Sequence, residues 1–161
     1  MKKLLKIVIL ALAPLMGWSQ TSIAEVFKSM PDSLMPYLTK NDRLDMVDFM
    51  EAKMKAEVTN RLGCKSEMTR LTADSLAIQM SESMQVDIFL LSTDEAYDSC
   101  RQVICMRKTY LIREEPVQCV ASFFTMKWRP LGDLSGYSSR LNYSSVLRRD
   151  DDVSTKKPFI R

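Results

Sequence analysis

From Glu67 onward the apolar residues of this chain stop recurring every third or fourth position and begin to alternate. Ser75 to Ser81 sets Leu76, Ile78 and Met80 against Ala77 and Gln79, Glu67 to Thr72 is a shorter candidate, and Val86 to Leu91 is a compact apolar run. Two longer strands follow. Arg101 to Ile112 carries Ile104, Met106, Tyr110 and Ile112 on one face, and Val117 to Trp128 carries Val120, Phe124, Met126 and Trp128, with Arg113 to Pro116 as the connecting turn. The gaps between these segments run from about two to ten residues, and a parallel crossover takes about a dozen or more. The strands are therefore expected to form an antiparallel meander of about five.

Before Gly63 the period is helical. Ile23, Val26, Phe27 and Met30 predict a short helix, and Pro31 and Pro36 punctuate the turn region that follows. A longer amphipathic helix comes next, with Thr39 or Asn41 as its cap and Asp42 and Asp45 suited to the positive end of its dipole. Val47, Met50 and Met54 repeat at i, i+3 and i+7, with Met46 and Phe49 widening the stripe. Its end falls between Lys55 and Gly63. Gly63 is the obvious stop, although Glu57 to Asn60 could already be extended. The fold class expected is α+β, one domain over residues 20–131, with N-terminal helices packed on one face of the meander.

The first nineteen residues read as an export signal: Lys2, Lys3 and Lys6, an apolar run from Leu4 to Met16 broken by Lys6 and Pro14, and the small residues Gly17 and Ser19 placing cleavage before Gln20. The run falls short of the about 20 apolar residues that span a bilayer. No cysteine follows it to take a lipid. A periplasmic or secreted protein with no membrane span is expected. Removing residues 1–19 takes away three of the 23 basic residues and none of the 20 acidic ones, so the processed chain is formally neutral. Such a chain offers no clustered positive charge for nucleic acid or an anionic membrane surface.

The chain contains no histidine, which removes the Ser-His-Asp and Cys-His nucleophile systems and the usual zinc ligand sets. After Ser19 only Gly63, Gly132 and Gly136 remain, too few for a glycine-rich phosphate cradle. The tail over residues 132–161 is polar and aperiodic, and part of it is expected to be disordered.

Several words of the sequence resemble a Bacteroidetes family of small exported proteins, catalogued as a domain of unknown function and numbered three-two-five-six. They are Met30 to Thr39, Asn41-Asp42-Arg43 leading to Asp48-Phe49, Met54 to Asn60, Lys65 to Thr69, Leu71 to Asp74 and Trp128 to Leu131. The resemblance covers Ile23 to Leu131 and implies an exported bacterial domain. It supplies no activity, cofactor or catalytic residue. The segment after Leu131 is shorter and more polar than that family's pattern.

Each candidate site has a plainer reading beside it. Cys64, Cys100, Cys105 and Cys119 in an exported chain invite a disulfide count. A hairpin about Arg113 to Pro116 sets Cys105 near Phe124 and Cys119 near Tyr110, about 17 Å out of register, which excludes that pair. Cys64 with Cys100 stays open, beside the reading of four idle thiols. The five-residue step from Cys100 to Cys105 suits no thiol-disulfide catalyst. Met46, Met50 and Met54 could be a soft-metal stripe, but core filling is the commoner use. Asp42, Asp45, Asp48 and Glu51 drift around the helix and read as a solvated face. Asp150 to Asp152 could attract calcium, yet follow Arg148 and Arg149 and read as a solvated tail.

Tyr110, Phe123, Phe124 and Trp128 concentrate aromatic character on the last two strands; an exposed Phe123 or Trp128 would suit a protein or glycan partner. The sequence thus nominates no catalytic, cofactor-binding or metal-ligating residue. It points to a non-enzymatic binding module in the cell envelope, with a carrier of apolar cargo, or an enzyme using carboxylates or a cysteine, as the alternatives.

Overall fold

The alternating segments fold into one seven-stranded antiparallel sheet whose spatial order is its chain order. The computed structural model describes residues 21–132. The strands are β1 Ala56–Thr59, β2 Lys65–Leu71, β3 Ser75–Ser81, β4 Met84–Tyr97, β5 Cys100–Ile112, β6 Glu115–Thr125 and β7 Pro130–Leu131. Before them lie helix α1, Ile23–Lys28, a 3-10 turn at Asp32–Leu34, and helix α2, Lys40–Glu51. Seven strands replace the five expected. The open segment Glu57 to Asn60 is largely β1, and Pro130–Leu131 pairs with Phe123 and Phe124. The signal region, the tail and Asp150 to Asp152 lie outside the described residues.

Register decides which side chains meet the helices. Ile88 pairs with Met106 and Leu76, and Ile104 pairs with Phe124, so these residues share one face. There they join Ile23, Val26, Phe27, Met46, Val47, Met68, Ile78 and Met80 in a single core. Helix α2 packs on β1 and β2, and α1 on β3 and β4. Trp128 sits in the β6–β7 turn with φ 59° rather than in a strand. Its indole Nε1 donates to the Val26 carbonyl at 3.0 Å and its ring lies 5.5 Å from Phe124, which pins that turn to α1.

The helices begin as their sequences require but stop earlier. Ser22 caps α1. Thr39 caps α2, its Oγ1 accepting from the Asp42 amide while the Asp42 carboxylate accepts from the Thr39 amide. Helix α2 ends at Glu51, well before the Lys55 to Gly63 window. There the Lys53 amide donates to Met50 and the Met54 amide to Phe49, a closing turn that needs a left-handed residue. Lys53 supplies it at φ 56° where glycine is usual. Met54 is consequently off the helix and exposed, and the methionine stripe ends at Met50.

Arg43 occupies the leading position of the buried stripe, one turn before Met46 and Val47. It is 1% exposed. Its guanidinium donates to the carbonyls of Leu38 at 3.1 Å and Met30 at 2.7 Å, and to Asp32 at 2.8 Å. A buried charge is tolerable only when hydrogen-bonded and paired, and here it clamps the whole connection between the two helices.

Two expected outcomes follow from these contacts. Replacing Lys53→Gly relieves left-handed strain worth about 1 kcal/mol and raises the urea midpoint of the mature protein. Replacing Arg43→Ala strands two buried carbonyls and costs about 3 kcal/mol or more. Asp32→Asn, at a half-exposed partner, costs under about 1 kcal/mol in the same titration.

Candidate functional site

The helices pack mainly on β1 to β4 and the core they close takes in Ile104, Met106 and Phe124 of β5 and β6, which leaves the turn-bearing end of those last strands accessible. Antiparallel pairing brings the turns after β1, β3 and β5 to one end. The turn after β5 is the two-residue loop Arg113–Glu114, with φ of 52° and 67°, shorter than the four residues expected. Both residues lie in the left-handed region that such a loop demands, though neither is Gly or Asn. Just beyond it a bulge between Tyr110 and Leu111 leaves Val117 without an opposite residue.

On the helix-facing side this end is bare. Tyr110 opposes Met84 on one neighbour and Gln118 on the other, and Val120 opposes Lys108, which makes Tyr110 and Val120 diagonal neighbours. Tyr110 is 39% exposed, Val120 41%, Val117 50% and Ile112 62%. Met84 packs partly on the main core and joins this patch to it. Four of the large exposed apolar side chains thus gather on one hairpin. Phe123, Phe124 and Trp128 are buried, so the aromatic surface expected from Phe123 or Trp128 is carried by Tyr110 instead.

The opposite side of the same strands holds a buried ion network. Asp87 faces Arg107 across β4 and β5, and its carboxylate accepts from Arg107 at 3.1 Å, Arg70 at 3.3 Å and Gln85 at 3.2 and 3.3 Å. The Phe89 ring lies under both guanidiniums, 5.3 Å from Arg107 and 6.0 Å from Arg70. Asp87 is 1% exposed on a face that no helix covers. Two cations and an amide occupy this carboxylate, which thereby braces the strands that carry them. Beside it Leu91, Val103, Cys105 and Phe123 form a second small cluster.

The remaining nominated residues do not converge. No disulfide joins Cys64, Cys100, Cys105 and Cys119. Cys64 precedes β2 and Cys100 opens β5, at opposite ends of the sheet and three strands apart. Cys105 pairs with Phe123 and Cys119 with Thr109, one residue from the expected register, and the two sulfurs still face different neighbours. Asp45, Asp48 and Glu51 are exposed, and Asp42 serves the helix cap. Among the described residues no three His, Cys, Asp or Glu side chains gather as a metal site, and no helix is long and apolar enough to cross a membrane.

The sequence reading missed the Asp87 network and Arg43. Its one available signal was charge inside apolar strand and helix periods. Replacing Asp87→Ala leaves two guanidiniums without their shared anion and costs about 3–5 kcal/mol in urea unfolding. Asp87→Leu combined with Arg107→Met recovers most of that loss, because it removes both buried charges together.

The comparisons with known proteins agree with this architecture. A family model described as "Protein of unknown function (DUF3256)" matches residues 16–157. That span includes residues 132–157 of the tail. A search of the curated proteins finds no match. Among solved structures, the chain is similar to a domain of an uncharacterized protein from Porphyromonas gingivalis W83, with TM-score 0.54 and 25% identity over 68% of this chain. The alignment covers 53% of that chain, so the present protein spans about half the length of its structural relative. A match across most of the sequence, on a fold shared with a Bacteroidetes protein, establishes that this chain belongs to the DUF3256 family.

Proposed function

We propose that this protein acts outside the cytoplasm as a non-enzymatic binding module, and that it engages a protein partner through the helix-free end of its last long hairpin. The observation that carries the reading is the gathering of Tyr110, Ile112, Val117 and Val120 where no helix covers the sheet. Exposed apolar side chains grouped on one rigid element are the usual mark of an interaction surface. Their chemistry favours a protein over a glycan. Sugars are held by aromatic faces and hydrogen-bonding groups, and three of these four residues are β-branched aliphatics that offer neither. The neutral charge of the processed chain argues against polyanionic partners.

The two alternatives draw less support. A carrier of apolar cargo needs room between helices and sheet, and there Met46, Met68, Ile78, Met80 and Ile88 pack on one another in a single core. An enzyme working through a carboxylate would find Asp87 already occupied by Arg70, Arg107 and Gln85.

Photo-crosslinking in an exporting bacterium tests the proposal. The exported protein is expected to begin at Gln20 by intact mass. A photoreactive residue at Ile112 is expected to give a discrete adduct with an envelope protein. The adduct is lost when Tyr110→Ser and Val117→Ser are added. The same probe at Asp45, on the exposed side of α2, gives none. Retention of residues 1–19 would overturn the export reading, and equal labelling from Ile112 and Asp45 would overturn the binding surface.

A further inference from the structure

An antiparallel sheet with one face on its core and the other in water has strands that alternate between buried and exposed residues. Strand β5 does not alternate. Val103, Ile104, Cys105, Met106 and Arg107 are buried without a break. Ile104 and Met106 face the helices, so Val103 and Cys105 are buried on the opposite side, and each is 0% exposed. Register places Leu91 and Thr125 beside Val103, and sets Phe89, Cys105, Phe123 and Leu131 in one row across β4 to β7.

Side chains of the sheet itself give only part of that burial. Phe89, Tyr97 and Leu131 lean on the cluster of Leu91, Val103, Cys105 and Phe123, and all three are themselves only partly exposed. Among the described residues no helix stands over this side, since α1 and α2 pack on the other. A sheet buried on both faces needs a layer on each. The burial holds within one chain, so the second layer belongs to the chain itself and not to a partner. Ala121, the next residue after Phe123 on this face of β6, is exposed, which marks where the cover stops.

We propose that the chain past Gly132 turns back over this side, and that residues 134–147 are the missing layer, seated on Val103 and Cys105. Strand β7 delivers the chain to the right place. Leu131 pairs with Phe123 and packs on the cluster, so the chain leaves the sheet at the rim of what has to be covered. Residues 1–20 lead instead toward α1, on the other side. Leu134, Tyr137, Leu141, Tyr143, Val146 and Leu147 bring apolar side chains, and the charged blocks at Arg148 and Asp150 begin only after them. Reach is sufficient in either conformation. This segment spans about 21 Å as a helix or about 46 Å extended, and the cluster on β4, β5 and β6 is about 10 Å across. The family match also runs on through this segment. Such a layer is independent of the binding surface proposed at Tyr110 and Val120, which lies on the helix-facing side.

Thiol labelling of the mature full-length chain reads this cover through Cys105. In a background of Cys64→Ser, Cys100→Ser and Cys119→Ser, Cys105 is expected to react only slowly with a small thiol reagent. Adding Tyr137→Ser, Leu141→Ser and Tyr143→Ser is expected to speed that reaction about tenfold or more, by local opening of the cover. Trp128, the one tryptophan after Ser19, is expected to keep its emission, because it is anchored to α1 in the other layer. An unchanged labelling rate overturns the proposal. A photoreactive phenylalanine analogue at Phe89 tests the same contact in the purified chain with its tail native, and decides the matter if the serine variant loses the Trp128 signal. It is expected to link to a peptide within residues 134–147, whereas the same probe at Asp45 links to none of them. Links from Phe89 confined to residues 21–132, or made to a second copy, overturn the proposal.

Discussion

Two short helices have to bury one face of a sheet that is wider than they are, and most features of this protein follow from that mismatch. Helix α1 has six residues and α2 twelve, about 9 and 18 Å of length. Seven strands at about 4.8 Å spacing reach about 29 Å from the first to the last. The helices lie over β1 to β4, where the largest apolar side chains are fully buried, and the sheet runs on past them. Trp128 extends the cover by reaching from the β6–β7 turn to α1, but the turn-bearing end of β5 and β6 lies beyond it. The accessible apolar surface is the part of the sheet that the helical layer is too small to reach.

Buried charge then does on each side what apolar packing cannot. Arg43 gathers the carbonyls of Met30 and Leu38 with Asp32, so a connection containing two prolines and a single 3-10 turn takes one course between the helices. Asp87 ties three strands through Arg70 and Arg107 on the face that lacks helices. Both resemble the buried ion pairs whose benefit lies in specifying one arrangement more than in net stability. A sheet braced from behind can expose its front at Tyr110 and Val120 without twisting to hide it, which is how packing on one side supports a surface on the other.

Much of the architecture was legible in the sequence because it rests on local periods. Alternation at Leu76, Ile78 and Met80 located β3, the paired spacing of Ile104 and Met106 fixed the inward face of β5, and short gaps required antiparallel order. The failures came where tertiary contacts set the answer. Lys53 ends α2 in a conformation that propensity assigns to glycine, so Gly63 misled the boundary. Arg113 and Glu114 make a two-residue loop with none of the usual turn residues. Strands β1 and β7 are too short to show a period, and exist because a neighbour was already in place to pair with them. For the candidate site, Tyr110 was visible as an aromatic on a strand, but which aromatics the core would take depended on Trp128 leaving its strand for the turn.

The exposed hairpin of β5 and β6 bears on function more strongly than any single residue. An unpaired, uncharged edge exposes backbone groups to association and aggregation, and folded proteins normally blunt it. This chain blunts β1 by brevity, charge and helical cover. Val120 on β6 lies diagonal to Tyr110 on β5, so the patch spans both strands of one hairpin. A patch carried on a hairpin that the Asp87 network braces from behind is the arrangement the proposed binding module needs to hold a partner in a single pose.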